Sequence, residues 1–375
     1  MPLSILFVHQ GYDLYGSDRT LIQSVEAVAQ RWPEARITVL LPSTGDLLPA
    51  LLSVVDDVRI VQLAILRKAS LKSLKLKDID TFIKRFVEAR RMMCSYDITY
   101  INTILVFDYA LASSIVRRPR IMHAHEIPTG AAKLFFLSLV ILSRAFMIFN
   151  SEATQRSFKL PFWQRGVVVW NGSSGPSNPP SPCEHIELRL LLIGRFNSWK
   201  GQEVLLRAAA SLTADQRSRL KVRLVGSVFG DQEHFADRVR RVIAEEGIAE
   251  MVEMCPFTPD PFEHYRWADV VVVPSVKPEP FGLVAIEAMA TSRCVIAANH
   301  GGLREIVVDG VTGTLVEPGS IESLAVAIRG YLDNRARVVS EGEAGQRRFI
   351  AEFDEKHYKR KIRDIVADLC KTHAT

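Results

Sequence analysis

Cysteine is scarce in this chain, and what there is lies scattered. The five cysteines, Cys94, Cys183, Cys255, Cys294 and Cys370, form no CxxC pair and no framework spacing. That excludes a disulfide scaffold and a thiolate zinc site, and it fits reduced thiols in a cytosolic protein. Long apolar runs are also missing. The longest stretch, 134–149, is interrupted by Arg144 and falls short of the ~20 residues a membrane span needs. It reads as a buried helix over 131–143 followed by a strand over 145–149. Residues 1–9 carry no basic segment and no small-residue cleavage site, so a first β-strand is expected there and not a signal peptide. No GxGxxG follows that strand, which argues against a dinucleotide dehydrogenase, and no GxxxxGK[ST] occurs, which argues against a P-loop ATPase. Internal repeats at solenoid periods are absent as well.

What is present begins with length and charge. A chain of 375 residues is too long for one ordinary core and fits two domains of roughly 150–200 residues. Residues 1–175 hold 21 Lys+Arg against 14 Asp+Glu, a net of +7, while the remainder carries −2 of the overall +5. The excess gathers in Arg67, Lys68, Lys72, Lys75, Lys77, Lys84, Arg85, Arg90 and Arg91, so the N-terminal half is expected to meet something anionic. Two readings of the 67–91 run stand side by side. One is a face for an anionic membrane surface, with Leu66, Leu71, Leu74, Leu76 and Phe82 as its apolar side. The other is a solvated helix or loop. Aromatic residues do not interleave the charges, so nucleic acid is not an expected partner.

Apolar runs and helical patterns alternate along the chain. Strands are expected over 5–9, 37–41, 58–61, 98–101, 120–123 and 146–149, with helices over 17–31 and 78–93 among the segments between them. Such alternation predicts a parallel sheet with right-handed crossovers. The Pro-, Gly- and Ser-rich stretch 171–182 can continue neither helix nor central strand. After it the alternation restarts, with strands expected over 188–193, 222–225, 252–254, 270–273 and 295–297. The expected architecture is α/β, two doubly wound Rossmann-like domains facing a central cleft. The boundaries fall at 1–172, a linker over 173–185, a second domain over 186–350, and a last helix in 351–375 with apolar positions suited to packing back on the first domain.

Two segments carry the chemistry. Gly194-Arg195-Phe196-Asn197-Ser198-Trp199-Lys200-Gly201 and Glu279-Pro280-Phe281-Gly282-Leu283-Val284-Ala285-Ile286-Glu287 each follow an apolar run that reads as a buried parallel strand. In open α/β sheets ligands bind at those strand ends. Arg195 can fork onto phosphate oxygens and Lys200 adds a point charge, next to the positive end of a helix opening at Gly201. In the second segment the amides of Phe281, Gly282 and Leu283 can hold phosphate or a sugar hydroxyl. Glu287, about one turn in, can accept from a ribose diol, and Glu279 is placed to meet a sugar. Cations for a diphosphate beside carboxylates for hydroxyls point to a nucleotide-sugar site.

Gly-Arg-x5-Gly with Lys before the last Gly, followed by Glu-x7-Glu, resembles the retaining glycosyltransferases of family GT4, which have the GT-B fold. Val273-Pro274-Ser275, Asn299-His300-Gly301-Gly302-Leu303-Arg304-Glu305-Ile306-Val307 and Asp309-Gly310-Val311-Thr312-Gly313 extend the likeness over almost the whole C-terminal half. The resemblance implies donor diphosphate on Arg195 and Lys200 near Gly194, ribose on Glu287, and the transferred sugar on Glu279 with the Phe281–Leu283 amides. It places the base against Phe257 and Thr258. It implies transfer of a hexose from a UDP- or GDP-linked donor, with retention, to a glycan or glycolipid acceptor in polysaccharide or glycoconjugate biosynthesis. No metal and no cofactor besides the co-substrate is implied, and no DxD context in the sequence contradicts that. The setting implied is cytoplasmic, peripheral at the inner face of a membrane.

In the N-terminal half, His123-Ala124-His125-Glu126 follows a strand, where the family carries a histidine that contacts the donor sugar. His125, further toward the loop, is the first choice and His123 the second. The loop after the first strand reads Tyr15-Gly16-Ser17-Asp18 where the family's common form is Gly-Gly-Ala-Glu. Gly16 and Ser17 are the donor-binding candidates there, and Asp18 has the composition of a helix cap. The catalytic set implied is His125, Glu279, Arg195 and Lys200. Two rival readings share the architecture: a sugar-nucleotide epimerase, and a donor-binding subunit without activity.

Overall fold

The computed structural model describes residues 2–66, 76–176, 186–228 and 233–372. They form two units, one from residues 1–172 with 355–375 and one from 173–354. Arg67, Lys68, Lys72 and Lys75 of the basic run, Cys183 and most of the expected linker lie outside the described residues.

The first unit alternates strand and helix. It runs β1 (Ser4–Val8), α1 (Gly16–Arg31), β2 (Arg36–Leu41), α2 (Leu47–Leu52), β3 (Asp57–Ile60), α3 (Leu76–Cys94) and β4 (Ile98–Ile101). It continues with α4 (Phe107–Ala112), β5 (Arg120–Ala124), α5 (Ala131–Ser143), β6 (Phe146–Phe149), α6 (Glu152–Phe158) and β7 (Gly166–Val168). The strands form one sheet in the order β3-β2-β1-β4-β5-β6-β7, parallel throughout. Every residue of β1 is buried, as a strand covered by helices on both faces requires. The sequence pattern anticipates six of these strands. β7 was not expected, because three residues after a proline-containing loop carry too little periodicity.

The apolar helix expected to be buried forms as α5, but Leu134 is 71% exposed, and Phe135 and Leu142 are also open to solvent. Only one side of α5 faces the sheet, where Leu139 and Val140 enter the core with Tyr109 and Phe149. Composition alone does not distinguish the two sides. Among the described residues no helix is long and apolar enough to cross a membrane.

The second unit begins with β8 (Leu188–Ile193), α7 (Gln202–Ala210), α8 (Ala214–Ser218), β9 (Leu220–Val225), α9 (Glu233–Glu245) and β10 (Val252–Cys255). It goes on through α10 (Phe262–Trp267), β11 (Val270–Val273), α11 (Leu283–Ala290), β12 (Cys294–Ala298), α12 (Leu303–Ile306), β13 (Gly313–Val316), α13 (Ile321–Asp333) and α14 (Arg335–Arg348). Its sheet is again parallel, in the order β10-β9-β8-β11-β12-β13. Strand order reverses between β1 and β4 in the first sheet and between β8 and β11 in the second. A π-helical turn, Phe349–Phe353, ends the unit, and the Ser173 amide donates to the Phe353 carbonyl at 3.0 Å. The chain therefore leaves this unit after Asp354, four residues beyond the expected boundary at 350.

The last helix, α15 (Glu355–Thr372), belongs to the first unit. Tyr358, Ile362 and Val366 repeat at helical spacing and are buried with Leu21, Val25 and Val28 of α1 and with Ile5 and Phe7 of β1. Burying three such side chains contributes about 1.5–3 kcal/mol each. Lys359 adds an ion pair to Glu26 at 2.8 Å.

Candidate active site

In the second unit most of the candidate residues collect on the loops that leave β8 and β11, at the point where strand order reverses. The β8 loop is shaped by Asn197, whose Oδ1 accepts from the amides of Trp199 and Lys200 at 3.0 and 2.9 Å. Gln202 at the start of α7 donates to the Arg195 carbonyl at 2.9 Å. Gly201 then turns the chain with φ +83°, and a Cβ there would lie 2.1 Å from the Pro274 carbonyl oxygen. Only glycine allows this approach, and the approach lets the Val276 amide donate to the Trp199 carbonyl at 2.8 Å. The two loops are thus one assembly.

That assembly brings Lys200 onto Glu279. Lys200 Nζ lies 2.7 Å from Glu279 Oε1, and the Glu279 side chain is only 8% exposed. Ser275 Oγ donates to the same oxygen at 2.5 Å, and the Lys200 ammonium lies 4.5 Å from the Trp199 ring centroid. The backbone at Glu279 is held from the other side, where the Gly302 amide donates to its carbonyl at 2.8 Å. Arg195 follows β8 on the same loop as Lys200. Gly282 caps α11 at φ +130°, and the first amides of that helix lack intrahelical acceptors. Glu287 is buried one turn in, and its Oε2 accepts from the Tyr265 hydroxyl at 2.7 Å. Tyr265, unmarked by any sequence motif, is itself fixed by Arg293, whose Nε donates to its carbonyl at 2.9 Å. Phe257 and Thr258 follow β10 at the surface, and Thr258 Oγ1 donates to the Asp260 carbonyl at 3.0 Å.

In the first unit a second polar cluster follows β1, β4 and β5. His123 is wholly buried in β5, and its Nδ1 meets the Tyr100 hydroxyl at 2.9 Å. Burial pushes its pKa down to about 3. His125, just past the strand, is half-buried, and its Nε2 donates to Asn102 Oδ1 at 3.1 Å. Burial first, then the neighbouring His123 and His9, hold it well below the usual imidazole range. Glu126 is shifted upward by burial, against hydrogen bonds from Thr103 Oγ1 at 2.6 Å and the His125 amide at 3.1 Å.

Gly16 and Ser17 open α1. Asp18 does more than the helix cap its composition suggests. Its Oδ2 accepts from the Tyr15 amide at 2.9 Å, while Oδ1 lies 2.7 Å from Nε2 of the buried His9. His9, Asn102 and Thr103 escaped the sequence reading, because the contacts that assemble them span about ninety residues or involve strand ends without a motif.

A cavity of about 720 Å³ opens at the other edge of this sheet, where Leu3, Asp97 and Pro119 precede β1, β4 and β5. None of the residues above lines it.

Comparison with known proteins places this geometry. HepE of Anabaena, solved in complex with UDP, superposes with a TM-score of 0.82 at 23% identity, covering 98% of this chain and 100% of that one. Sucrose-phosphate synthase of Thermosynechococcus elongatus superposes with 0.76 at 20% identity, covering 99% and 100%. The two-sheet architecture is the GT-B fold of glycosyltransferases. Residues 184–368, just under half of the chain, match the family Glycosyl transferases group 1. The D-inositol 3-phosphate glycosyltransferase of Geodermatophilus obscurus is 40% identical over 183 residues, 48% of this chain and 39% of its own length. That of Kineococcus radiotolerans is 36% identical over 199 residues, 48% of this chain and 46% of its own. The chain thus matches less than half the length of these relatives.

Proposed function

We propose that the protein transfers a hexose from a UDP-sugar to a glycan or glycolipid acceptor, with retention of anomeric configuration. The observation that carries this reading is the Lys200–Glu279 pair, a cation and a carboxylate held together at the strand ends of the second unit with Arg195 on the same loop. In this reading Arg195, Lys200 and the first amides of α11 meet the growing charge on the departing diphosphate, so that transfer proceeds without a metal. Glu279 orients the sugar and Glu287 accepts from the ribose hydroxyls. In the first unit His125 is the candidate sugar contact, favoured over His123, whose ring is wholly enclosed. Uracil is favoured over guanine because HepE is described with UDP and, in another complex, with UDP-glucose.

The reading includes an acceptor met at an anionic membrane surface. Phe162 is 100% exposed and Trp163 largely so. Gln164 ties their loop to the end of α5 by donating to the Val140 and Ala145 carbonyls at 2.9 and 3.1 Å. Exposed Phe162, Trp163 and Leu142 so share one neighbourhood with the cations Arg144 and Arg165, a combination suited to a lipid headgroup region.

The test is a thermal shift of the whole protein against UDP, GDP, ADP, TDP and their sugar conjugates in EDTA. Ligands that bind only the folded state raise its melting point according to concentration over Kd. Stabilisation by UDP and a UDP-hexose is expected, followed by an axial or equatorial anomeric assignment matching the donor in the product. No stabilisation by any nucleotide overturns the donor site, and an inverted product overturns retention.

A further inference from the structure

The polar cluster of the first unit contains a chain of hydrogen bonds that fixes the proton position on one histidine, His125. It begins at two groups that can only accept. Both oxygens of Asp18 are used: Oδ2 takes the Tyr15 amide at 2.9 Å, and Oδ1 faces His9 Nε2 at 2.7 Å. An ionised carboxylate accepts only, so His9 carries a proton on Nε2. The second fixed acceptor is the Ser17 carbonyl, 3.0 Å from the side-chain amide of Asn102. A carbonyl requires a donor, so the atom facing it is Nδ2, and this settles the orientation of the Asn102 amide. The same Nδ2 lies 3.2 Å from His9 Nδ1. His9 Nδ1 also lies 3.3 Å from the Asn102 carbonyl oxygen, so the His9 ring rests against both the side chain and the backbone of Asn102. Asn102 Oδ1 is left to accept, and it lies 3.1 Å from His125 Nε2. His125 must donate there, which leaves Nδ1 as its lone pair.

We infer that Asn102 is a positioning residue that fixes the tautomer of His125, so that its Nδ1 accepts a hydrogen bond from a sugar hydroxyl, while Asp18 and His9 hold Asn102 in place. This rests on the reading of His125 as a sugar contact. A neutral imidazole offering a lone pair takes a hydroxyl and rejects a phosphate oxygen, which has no proton to give. The arrangement thus selects a hydroxyl at this point of the substrate against a charged substituent. Gly11 belongs to the device: a Cβ there would lie 2.1 Å from Asp18 Oδ1 and 2.8 Å from His9 Nε2. Any larger residue would force the clasp open.

The test is nitrogen-15 NMR of the imidazole rings in the whole protein, free of ligand, which reports the protonated nitrogen of each histidine. The wild type is expected to show Nε2–H for His125. In Asn102→Leu the acceptor that faces His125 Nε2 is gone. His125 then loses its fixed tautomer. Gly11→Ala, which pushes Asp18 and His9 against Asn102, should produce the same spectrum with Asn102 still in place. Both variants should lower kcat ten- to a hundred-fold, as a misplaced contact does, with donor KM within about twofold. A wild-type His125 protonated on Nδ1 or on both nitrogens overturns the inference, as does a lower kcat in folded variants with an unchanged His125 spectrum. The tautomers are read without turnover. The expected spectra in a protein that transfers no sugar would therefore count against the proposed reaction and not against the hydrogen-bond chain.

Discussion

The Lys200–Glu279 pair yields a prediction in which two destabilising substitutions move UDP binding in opposite directions. Lys200→Ala removes the cation 2.7 Å from a carboxylate that is 8% exposed and leaves Ser275 as its remaining donor. Removing one partner of a fully buried pair costs about 3–5 kcal/mol. Here one hydrogen bond survives and the lysine is partly wet, so about 2 kcal/mol is expected. In a unit of this size each kcal/mol moves the melting temperature by about 2–4 °C, so the shift should be about 4–8 °C. Glu279→Gln keeps an acceptor for Ser275 and should cost only about 1 kcal/mol. The double variant should be no less stable than Lys200→Ala, a coupling of about 1 kcal/mol in a double-mutant cycle. Calorimetric titration with UDP should separate the two positions. Lys200→Ala should weaken UDP at least about tenfold, whereas Glu279→Gln releases Lys200 toward phosphate and should tighten it. Zero coupling, or UDP affinities that fall together, would refute the argument that one lysine is shared between carboxylate and diphosphate.

Two further predictions follow from other features. His123 is held neutral in the fold, with its pKa down at about 3, so the unfolded chain binds the extra proton below pH 6.5. Stability should therefore fall with pH from 6.5 toward 3, by about 2 kcal/mol between pH 6.5 and pH 5 from this group. Urea titrations of His123→Gln, which keeps an acceptor for Tyr100, should show a flatter slope, and an equal slope would sink the assignment. At the surface, replacing Phe162 and Trp163 by serine should reduce sedimentation with vesicles containing phosphatidylserine while leaving UDP binding intact. Unchanged sedimentation would remove that loop from membrane contact.

The parts of the protein legible in the sequence are those where local chemistry and function coincide. Arg195, Lys200, Glu279 and Glu287 sit in short segments whose glycine and proline turns can be read in place, and β8 and β11 are continuous apolar runs. The partnerships were not legible. Nothing in the sequence joins Lys200 to Glu279, Tyr265 to Glu287, or His9 to Asn102, because each pairing depends on which strands become neighbours. β13 is a four-residue strand opened by glycine and gives as little periodic signal as β7. The apolar α5 misled in the opposite sense, since composition registers hydrophobicity but not which side of a helix the sheet covers.

The C-terminal helix carries a consequence for biosynthesis. Its residues Tyr358, Ile362 and Val366 complete a core whose other members include residues of β1, β2, β4, β5, β6, α1 and α2, and Tyr358 also supplies the hydroxyl 2.6 Å from Ser24 Oγ. The first unit is therefore discontinuous in the chain, and its last piece is translated after the entire second unit. On the ribosome the second unit can close as soon as Asp354 has emerged, while the first waits with an apolar groove along α1. The order of folding is thus the reverse of the order of synthesis, and it is the early-made domain that needs protection until the helix Glu355–Thr372 arrives.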